Sequence, residues 1–172
     1  MKTVEMAQES ERTVAADYSK DFETLEKMEW AFSRKDVDHF RSVLDDRPSL
    51  FIRVHAVCML ADLKDERAVP PLARVLRDDS SPLIRHEAAF VLGQLGFKSA
   101  VVSLIEAMEK DESVLVRHES AVALGSIGDE RARISLEKAV GDSDEDVRYS
   151  AEIALADLAF LSYLRSKVQK SS

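Results

Sequence analysis

The sequence predicts an all-α fold, an α-solenoid built from helical hairpins. The first observation is a recurring arginine that follows an aliphatic residue and precedes a leucine by seven positions. Its four copies are spaced 32, 32 and 31 residues apart: Arg53, Arg85, Arg117 and Arg148. The second observation is that glycine is scarce, with five residues in the chain and none before Gly93, which disfavours a turn-rich β fold. A period of this length is typical of stacked helical repeats.

Each element follows from this period. Residues 1–17 are polar and mixed in charge, which predicts a flexible N-terminal segment. The rest, 18–172, is expected to form one domain with a continuous core, because each hairpin buries its apolar face only against its neighbours. The expected parts are a capping hairpin at 18–46, repeats at 49–80, 81–112 and 113–144, and a C-terminal repeat or cap at 145–170.

The junctions between helices support these boundaries. Gly96 and Gly128 stand where a first helix of a repeat ends, and Pro82 stands where a first helical turn tolerates proline. The acidic links 78–80 and 142–144 predict N-caps for the helices that follow. The recurring arginine is predicted to pair with these acidic links. Together, the arginine, the glycines and the links give residues from about 49 to 158 a pattern that resembles HEAT repeats of the short, phycobilisome-lyase-like class.

Composition excludes several classes of function. The formal net charge of −8 disfavours a nucleic-acid interface, which needs a dense basic surface. No apolar run approaches the length of a membrane span, and the N-terminus has no apolar signal segment. Cys58 is the single cysteine, so neither a disulfide framework nor a thiolate cluster is expected. These observations predict a cytoplasmic protein that binds neither nucleic acid nor membrane.

One group of residues is typical of a functional site. It is a His-Glu pair that occurs twice, at His86-Glu87 and His118-Glu119, in the same register of the repeat. At about 100° per residue, His86 lies about 200° from the core position Ile84 and so points away from the core. The face that carries the pairs is expected to be partly apolar. Its apolar members are Phe90, Val91, Val122 and Ile153, with Gly93 and Gly125 allowing a close approach to the backbone.

Two imidazoles on neighbouring helices could converge on one metal ion, since packed helices lie about 8–10 Å apart. Two histidines and a carboxylate form the ligand set of non-haem iron oxygenases. Adjacent residues do not share a helix face, and a surface histidine is usually solvated. The residues by themselves therefore leave metal binding and a solvated face as open alternatives.

The context of the pairs is similar to deoxyhypusine hydroxylase. Residues 85–96 read Arg-His-Glu-Ala-Ala-Phe-Val-Leu-Gly-Gln-Leu-Gly, and 116–129 read Val-Arg-His-Glu-Ser-Ala-Val-Ala-Leu-Gly-Ser-Ile-Gly-Asp. This resemblance implies a non-haem di-iron centre that activates O₂ and is held by four His-Glu motifs. It implies His86, His118 and Glu119 as iron ligands. Glu87 is implied as the catalytic residue, facing the substrate or the second iron.

The chain departs from that family in length, because it has two His-Glu motifs rather than four. Val54-His55 and Tyr149-Ser150 stand where further pairs would fall. The resemblance therefore implies a homodimer with two irons per dimer, with zinc as a substitute in recombinant protein, acting on a protein or a small molecule as a hydroxylase or monooxygenase.

Two other functions remain open from the sequence. The His-Glu face of an adaptor or scaffold would bind a protein partner, and the repeat class alone permits a bilin-lyase-like subunit. The last helix continues beyond Leu158 through Phe160, Leu161, Tyr163 and Leu164. Because it is apolar on more than one side, it is interpreted either as a C-terminal cap or as a dimer contact.

Overall fold

A computed structural model describes the backbone of residues 2–169 and the side chains of residues 18–168. This part of the chain is an all-α solenoid, as predicted. Its α-helices are α1 (Lys2–Ser33), α2 (Val37–Asp45), α3 (Leu50–Leu63), α4 (Val69–Asp78), α5 (Pro82–Leu95), α6 (Val101–Lys110), α7 (Val114–Ile127), α8 (Arg133–Ala139) and α9 (Glu145–Gln169). Among the described helices, none is both long and apolar enough to cross a membrane.

The chain divides into two compact units, Met1–Ala56 and Val57–Ser172, and the division falls within α3. In the first unit α1 packs on α2, and Met28, Val37 and Phe40 are buried. The side chains of the predicted flexible segment, 1–17, lie outside the described residues. The predicted domain boundaries therefore remain predictions.

In the second unit the helices form two layers. Helices α5, α7 and α9 pack side by side in one layer, and α4, α6 and α8 do so in the other. Each helix of the second layer also packs on the helix that follows it in the chain. The core lies between the layers and is made of aliphatic residues at the repeat period. Its members include Leu72, Leu76, Ile84, Leu92, Leu104, Met108, Val116, Leu124, Leu136, Val147 and Leu158.

The recurring arginine binds the acidic links, as predicted. Arg85 forms a two-point contact with Asp111, at 2.8 and 2.9 Å, and donates to the carbonyl of Asp79 at 2.8 Å. Arg117 repeats this arrangement with Asp142, at 2.9 and 3.0 Å. Hydrogen bonding to Asp111 raises the pKa of Arg85, and the Arg117 guanidinium lowers the pKa of Asp142. Arg85 and Arg117 thus each connect the acidic link before their own helix with the acidic link that ends their repeat.

The N-cap predicted at the link 142–144 is present, since the Asp144 carboxylate accepts from the Asp146 N–H group at 3.0 Å, but the one predicted at the link 78–80 is absent. Ser81 and Ser113 occupy the N-cap positions of α5 and α7 without a side-chain hydrogen bond to the helix. The aspartates two residues earlier instead accept from the backbone N–H groups of these serines, at 2.8 Å each. These are Asx turns, which orient the carboxylate of Asp111 toward Arg85. Gly96 and Gly128 end α5 and α7 in the left-handed conformation, as expected.

Ser120 provides a test of the core. Its hydroxyl is fully buried and has no hydrogen-bond partner within the described residues, whereas Ala88 and Ala151 occupy the equivalent positions in α5 and α9. An unpaired buried hydroxyl costs about 1–3 kcal/mol. We therefore expect Ser120→Ala to raise the free energy of unfolding, measured with urea, by about 1 kcal/mol. Ser126→Ala, at an exposed position of α7, is the control and should change it little.

Candidate metal centre

Helices α5 and α7, which carry the two His-Glu pairs, pack side by side. The helices approach closely where Gly93 meets Ala123: a Cβ added to Gly93 would lie 2.8 Å from the Ala123 Cβ and 2.9 Å from its Cα. Gly125 meets Ala154 of α9 in the same way. The close approach expected at these glycines is therefore made by the neighbouring helix. It brings each histidine within reach of the helix that follows.

His86 and Glu119 meet across the contact between α5 and α7. The His86 Nε2 atom lies 3.3 Å from the Glu119 Oε2 atom, and the two side chains are 29% and 12% exposed. Two donor atoms bound to one ion at about 2.1 Å lie about 3.0–3.4 Å apart at octahedral or tetrahedral angles. This separation therefore fits two ligands of one metal ion. Imidazole nitrogen with carboxylate oxygen suits iron and zinc alike.

The other nitrogen of His86, Nδ1, is buried and has no hydrogen-bond partner in the described part of the chain. Metal-binding histidines usually donate their second ring N–H to a neighbouring acceptor. Among the described residues, the polar contact of the His86 ring is therefore the approach of Glu119 to Nε2.

His118 is oriented by α9. The Ser150 Oγ atom lies 2.7 Å from the His118 Nδ1 atom and donates to the Asp146 carbonyl at 2.8 Å. A hydroxyl has one proton, and a carbonyl only accepts. The Ser150 proton is therefore used by Asp146, and Ser150 accepts from the Nδ1–H group of His118. In the neutral ring this leaves a lone pair on Nε2, which is the form that binds a metal ion.

Ser150→Ala tests this orientation. Without the acceptor, the neutral His118 ring should lose its preference for the Nδ1–H form, and metal affinity should fall roughly 10- to 100-fold. The imidazole ¹⁵N chemical shifts of metal-free protein report the tautomer directly. Ser166→Ala is the control, because it removes a hydroxyl that donates to the Tyr163 carbonyl farther along the same helix. Identical His118 shifts in wild type and Ser150→Ala would contradict the assignment.

Glu87 lies apart from this pair and contacts Cys58. The Cys58 Sγ atom donates to the Glu87 Oε1 atom at 3.7 Å. Burial raises the pKa of the Cys58 thiol, and the Glu87 carboxylate raises it further. The thiol thus stays protonated at neutral pH and serves as a donor to Glu87.

The structure brings together some of the predicted site residues and separates others. His86 and Glu119 are in contact, whereas His118 binds Ser150 and Glu87 binds Cys58. Within residues 18–168, no three His, Cys, Asp or Glu side chains gather closely enough to hold a metal ion. One described chain therefore presents a pair of donors and an oriented third histidine rather than a closed site.

The apolar face differs from the prediction in one residue. Phe90, Val122 and Ile153 are exposed, but Val91 is 1% exposed and belongs to the core. Helix α5 packs on both α4 and α7. Its solvent-exposed surface is therefore narrower than that of a helix that packs on one neighbour. A shallow depression of about 310 Å³ opens on the face between α5 and α7. It is lined by Phe90, Gly93, Gln94, Glu119, Val122, Ala123 and Ser126.

Sequence reasoning missed Ser150 and Cys58 as members of the site. Both could have been found from the repeat register: Ser150 occupies in α9 the position of Glu119 in α7, and Cys58 occupies in α3 the position of Phe90 in α5. Finding them requires one further rule, which is that a side chain at the glutamate position of one helix points back toward the preceding helix of the layer.

Comparison with known protein families identifies the repeats. Residues 72–156 match HEAT repeats, and residues 52–78 match the PBS lyase HEAT-like repeat. The chain is a HEAT-repeat protein. Comparison with curated protein sequences gave no match.

Among solved structures, this HEAT-repeat protein is similar to human deoxyhypusine hydroxylase in complex with glycerol. The two share 37% sequence identity with a TM-score of 0.68, over 73% of this chain and 44% of the human chain. This chain therefore spans less than half the length of the enzyme that it matches. The predicted resemblance to one part of deoxyhypusine hydroxylase is confirmed.

Proposed function

We propose that this chain is a non-haem di-iron, O₂-dependent hydroxylase-like enzyme whose metal centre is assembled from the His-Glu motifs of two chains. The observation that supports it most is the 3.3 Å approach of His86 Nε2 to Glu119 Oε2 across two HEAT-repeat helices. The 37% identity to human deoxyhypusine hydroxylase gives this contact its chemical context. In a reducing cytoplasm, the proposed location, the single thiol of Cys58 stays reduced.

The proposed ligands of the iron in each chain are His86, His118 and Glu119. Bound iron would supply the activation of O₂, which no protein side chain provides. The residues of the chain do the rest. Ser150 keeps the Nε2 lone pair of His118 free, and Glu119, which is largely buried, supplies the negative charge that a buried cation requires.

Glu87 is proposed as the catalytic residue. Among the described residues, its carboxylate contacts the Cys58 thiol of α3 alone, at a long 3.7 Å, rather than His86. Such a group is free to accept a hydrogen bond from a substrate or to turn toward a second iron. The shallow depression beside Glu119 gives an apolar surface for a protein side chain or a small molecule.

The proposed centre uses four His-Glu motifs, and each chain carries two of them, so its motifs are proposed to come from two chains. The commonest homo-oligomer is an isologous two-fold dimer, in which the same surface of each chain meets its copy. Two such chains would supply the four motifs and hold two irons. Zinc is expected to compete for the same donors, since nitrogen and oxygen ligands do not exclude it.

The test is an iron assay joined to a redox cycle. Purified protein loaded with ferrous iron under nitrogen should bind about one iron per chain, because each chain supplies one ligand set. Exposure to O₂ should then produce a visible charge-transfer band that dithionite removes. A zinc-loaded sample is the colourless control. Iron-loaded protein that stays colourless throughout this cycle would contradict the proposed oxygen chemistry.

A protein-binding adaptor is the second candidate, favoured by the exposure of Phe90, Val122 and Ile153 on the same face. It requires no metal, so the two proposals separate in the iron assay. The bilin-lyase alternative has weaker support, because the PBS lyase HEAT-like match ends at residue 78, before the first His-Glu motif.

A further inference from the structure

One side of helix α9 carries an apolar stripe that no other helix covers within the described part of the chain. Its members recur at helical spacing and are exposed, Ile153 by 64%. They are Tyr149, Ile153, Phe160, Tyr163 and Leu164, with Ala156 among them. A contiguous exposed apolar surface of this kind marks an interaction site more often than a solvated face.

The stripe lies where the repeat places a helix contact. On α5 and α7, Gly93 and Gly125 receive the next helix of the layer through Ala123 and Ala154. Ala156 occupies the position in α9 that Gly125 occupies in α7. Helix α9 therefore presents a surface shaped to receive another helix, with a small residue at the point of closest approach.

The charges on α9 select the direction of that helix. The first turn is acidic, with Glu145 and Asp146, and the last turn carries Lys167. In an antiparallel pair of two α9 helices, the acidic end of each would face the basic end of the other, and the helix dipoles would also oppose favourably. A parallel pair would place like charges together at both ends.

The register of an antiparallel pair also matches the stripe. With the two-fold axis beside Ala156, Ile153 meets Phe160 of the second copy, Tyr149 meets Leu164, and Asp146 meets Lys167. Asp157, the charge nearest this axis, points aside toward α7: its Oδ2 atom lies 3.6 Å from the place a Cβ on Gly125 would take. The apolar residues thus face apolar residues along the pair.

We infer that the stripe on α9 binds the same stripe of a second copy of this chain in an antiparallel, two-fold arrangement. The inference goes beyond the proposed function, because the contact lies at the edge of the helix layer formed by α5, α7 and α9, apart from the His86–Glu119 pair between α5 and α7. The contact itself does not depend on iron, because it uses none of the proposed ligands.

Sedimentation of metal-free protein tests the contact. Wild type should be a dimer at micromolar concentration, and Ile153→Arg and Phe160→Arg should each weaken the dimer at least 100-fold with an unchanged helical circular dichroism spectrum. Ile134→Arg is the matched control, since Ile134 is an equally exposed aliphatic residue on α8. A wild-type monomer, or a dimer that both variants leave intact, would overturn the inference.

A charge exchange tests the direction. Lys167→Glu should weaken the dimer at low salt, and adding Asp146→Lys to the same chain should restore it, because the exchanged charges again face each other in an antiparallel pair. Failure of the second change to restore a dimer weakened by the first would overturn the antiparallel arrangement.

Two further outcomes separate the inference from the proposed function. A dimer that Ile153→Arg disrupts but that binds no iron contradicts the proposed function and supports the α9 contact. An iron-binding dimer that Val122→Arg disrupts and Ile153→Arg leaves intact assigns the interface to the middle of the His-Glu face. It overturns the inference about α9 and leaves the proposed function in place.

Discussion

His86→Ala and Glu119→Ala are each expected to remove most of the iron that the protein binds. The Nε2 and Oε2 atoms of these residues lie 3.3 Å apart on different helices, so each change removes one of the two donors that already meet. Loss of one ligand from a three-residue set leaves a site that competes poorly with water. Iron per chain, measured by elemental analysis after gel filtration, should fall several-fold for both variants.

Two control variants make this result specific. His55→Ala removes a histidine whose Nδ1 atom bonds the Phe51 carbonyl at 2.9 Å, and iron content should be unchanged. Glu87→Ala should also retain iron and lose turnover, because Glu87 contacts Cys58 rather than His86. If Glu87→Ala strips the iron and Glu119→Ala keeps it, the two proposed roles are exchanged.

Asp111→Ala is expected to cause the largest loss of stability among changes outside the candidate site. It removes the carboxylate that Arg85, which is only 6% exposed, binds at two points, and leaves the exposed Glu112 carboxylate at 3.7 Å as the remaining acidic partner. Removing one partner of a buried ion pair costs about 3–5 kcal/mol. Arg85 keeps its bond to the Asp79 carbonyl, so we expect about 3 kcal/mol, measured as the free energy of unfolding in urea.

Matched variants separate the effect of the Asp111 charge on stability from the effect of its hydrogen bond in the turn. Asp78→Ala breaks the exposed pair with Arg77 and should cost at most about 1 kcal/mol. Asp111→Asn retains an acceptor for the Ser113 N–H group, so it should cost less than Asp111→Ala. Replacing both members, as Arg85→Met with Asp111→Leu, should recover part of the loss. Equal losses for Asp78→Ala and Asp111→Ala would show that the buried pair stabilises the fold no more than an exposed one.

The repeat period was sufficient to predict the array. A hydrophobic residue seven positions after each arginine, glycine at the helix ends and proline in a first turn each act within one helix or one turn. Their consequences are local, and Gly96, Gly128 and Pro82 lie where the sequence placed them. The pairing of Arg85 with Asp111 was also predictable in kind, because a largely buried guanidinium requires an acidic partner.

The sequence by itself therefore determined the helices, their order and the two His-Glu pairs as the candidate site. Only the tertiary structure decided which side chains meet. A helical wheel gives directions about one axis, but contacts between helices depend on how each helix is rotated and shifted against the next. The close approach at Gly93 sets that shift for α5 and α7. It places Glu119, rather than Glu87, beside His86, and the equivalent approach of Gly125 to Ala154 between α7 and α9 places Ser150 beside His118.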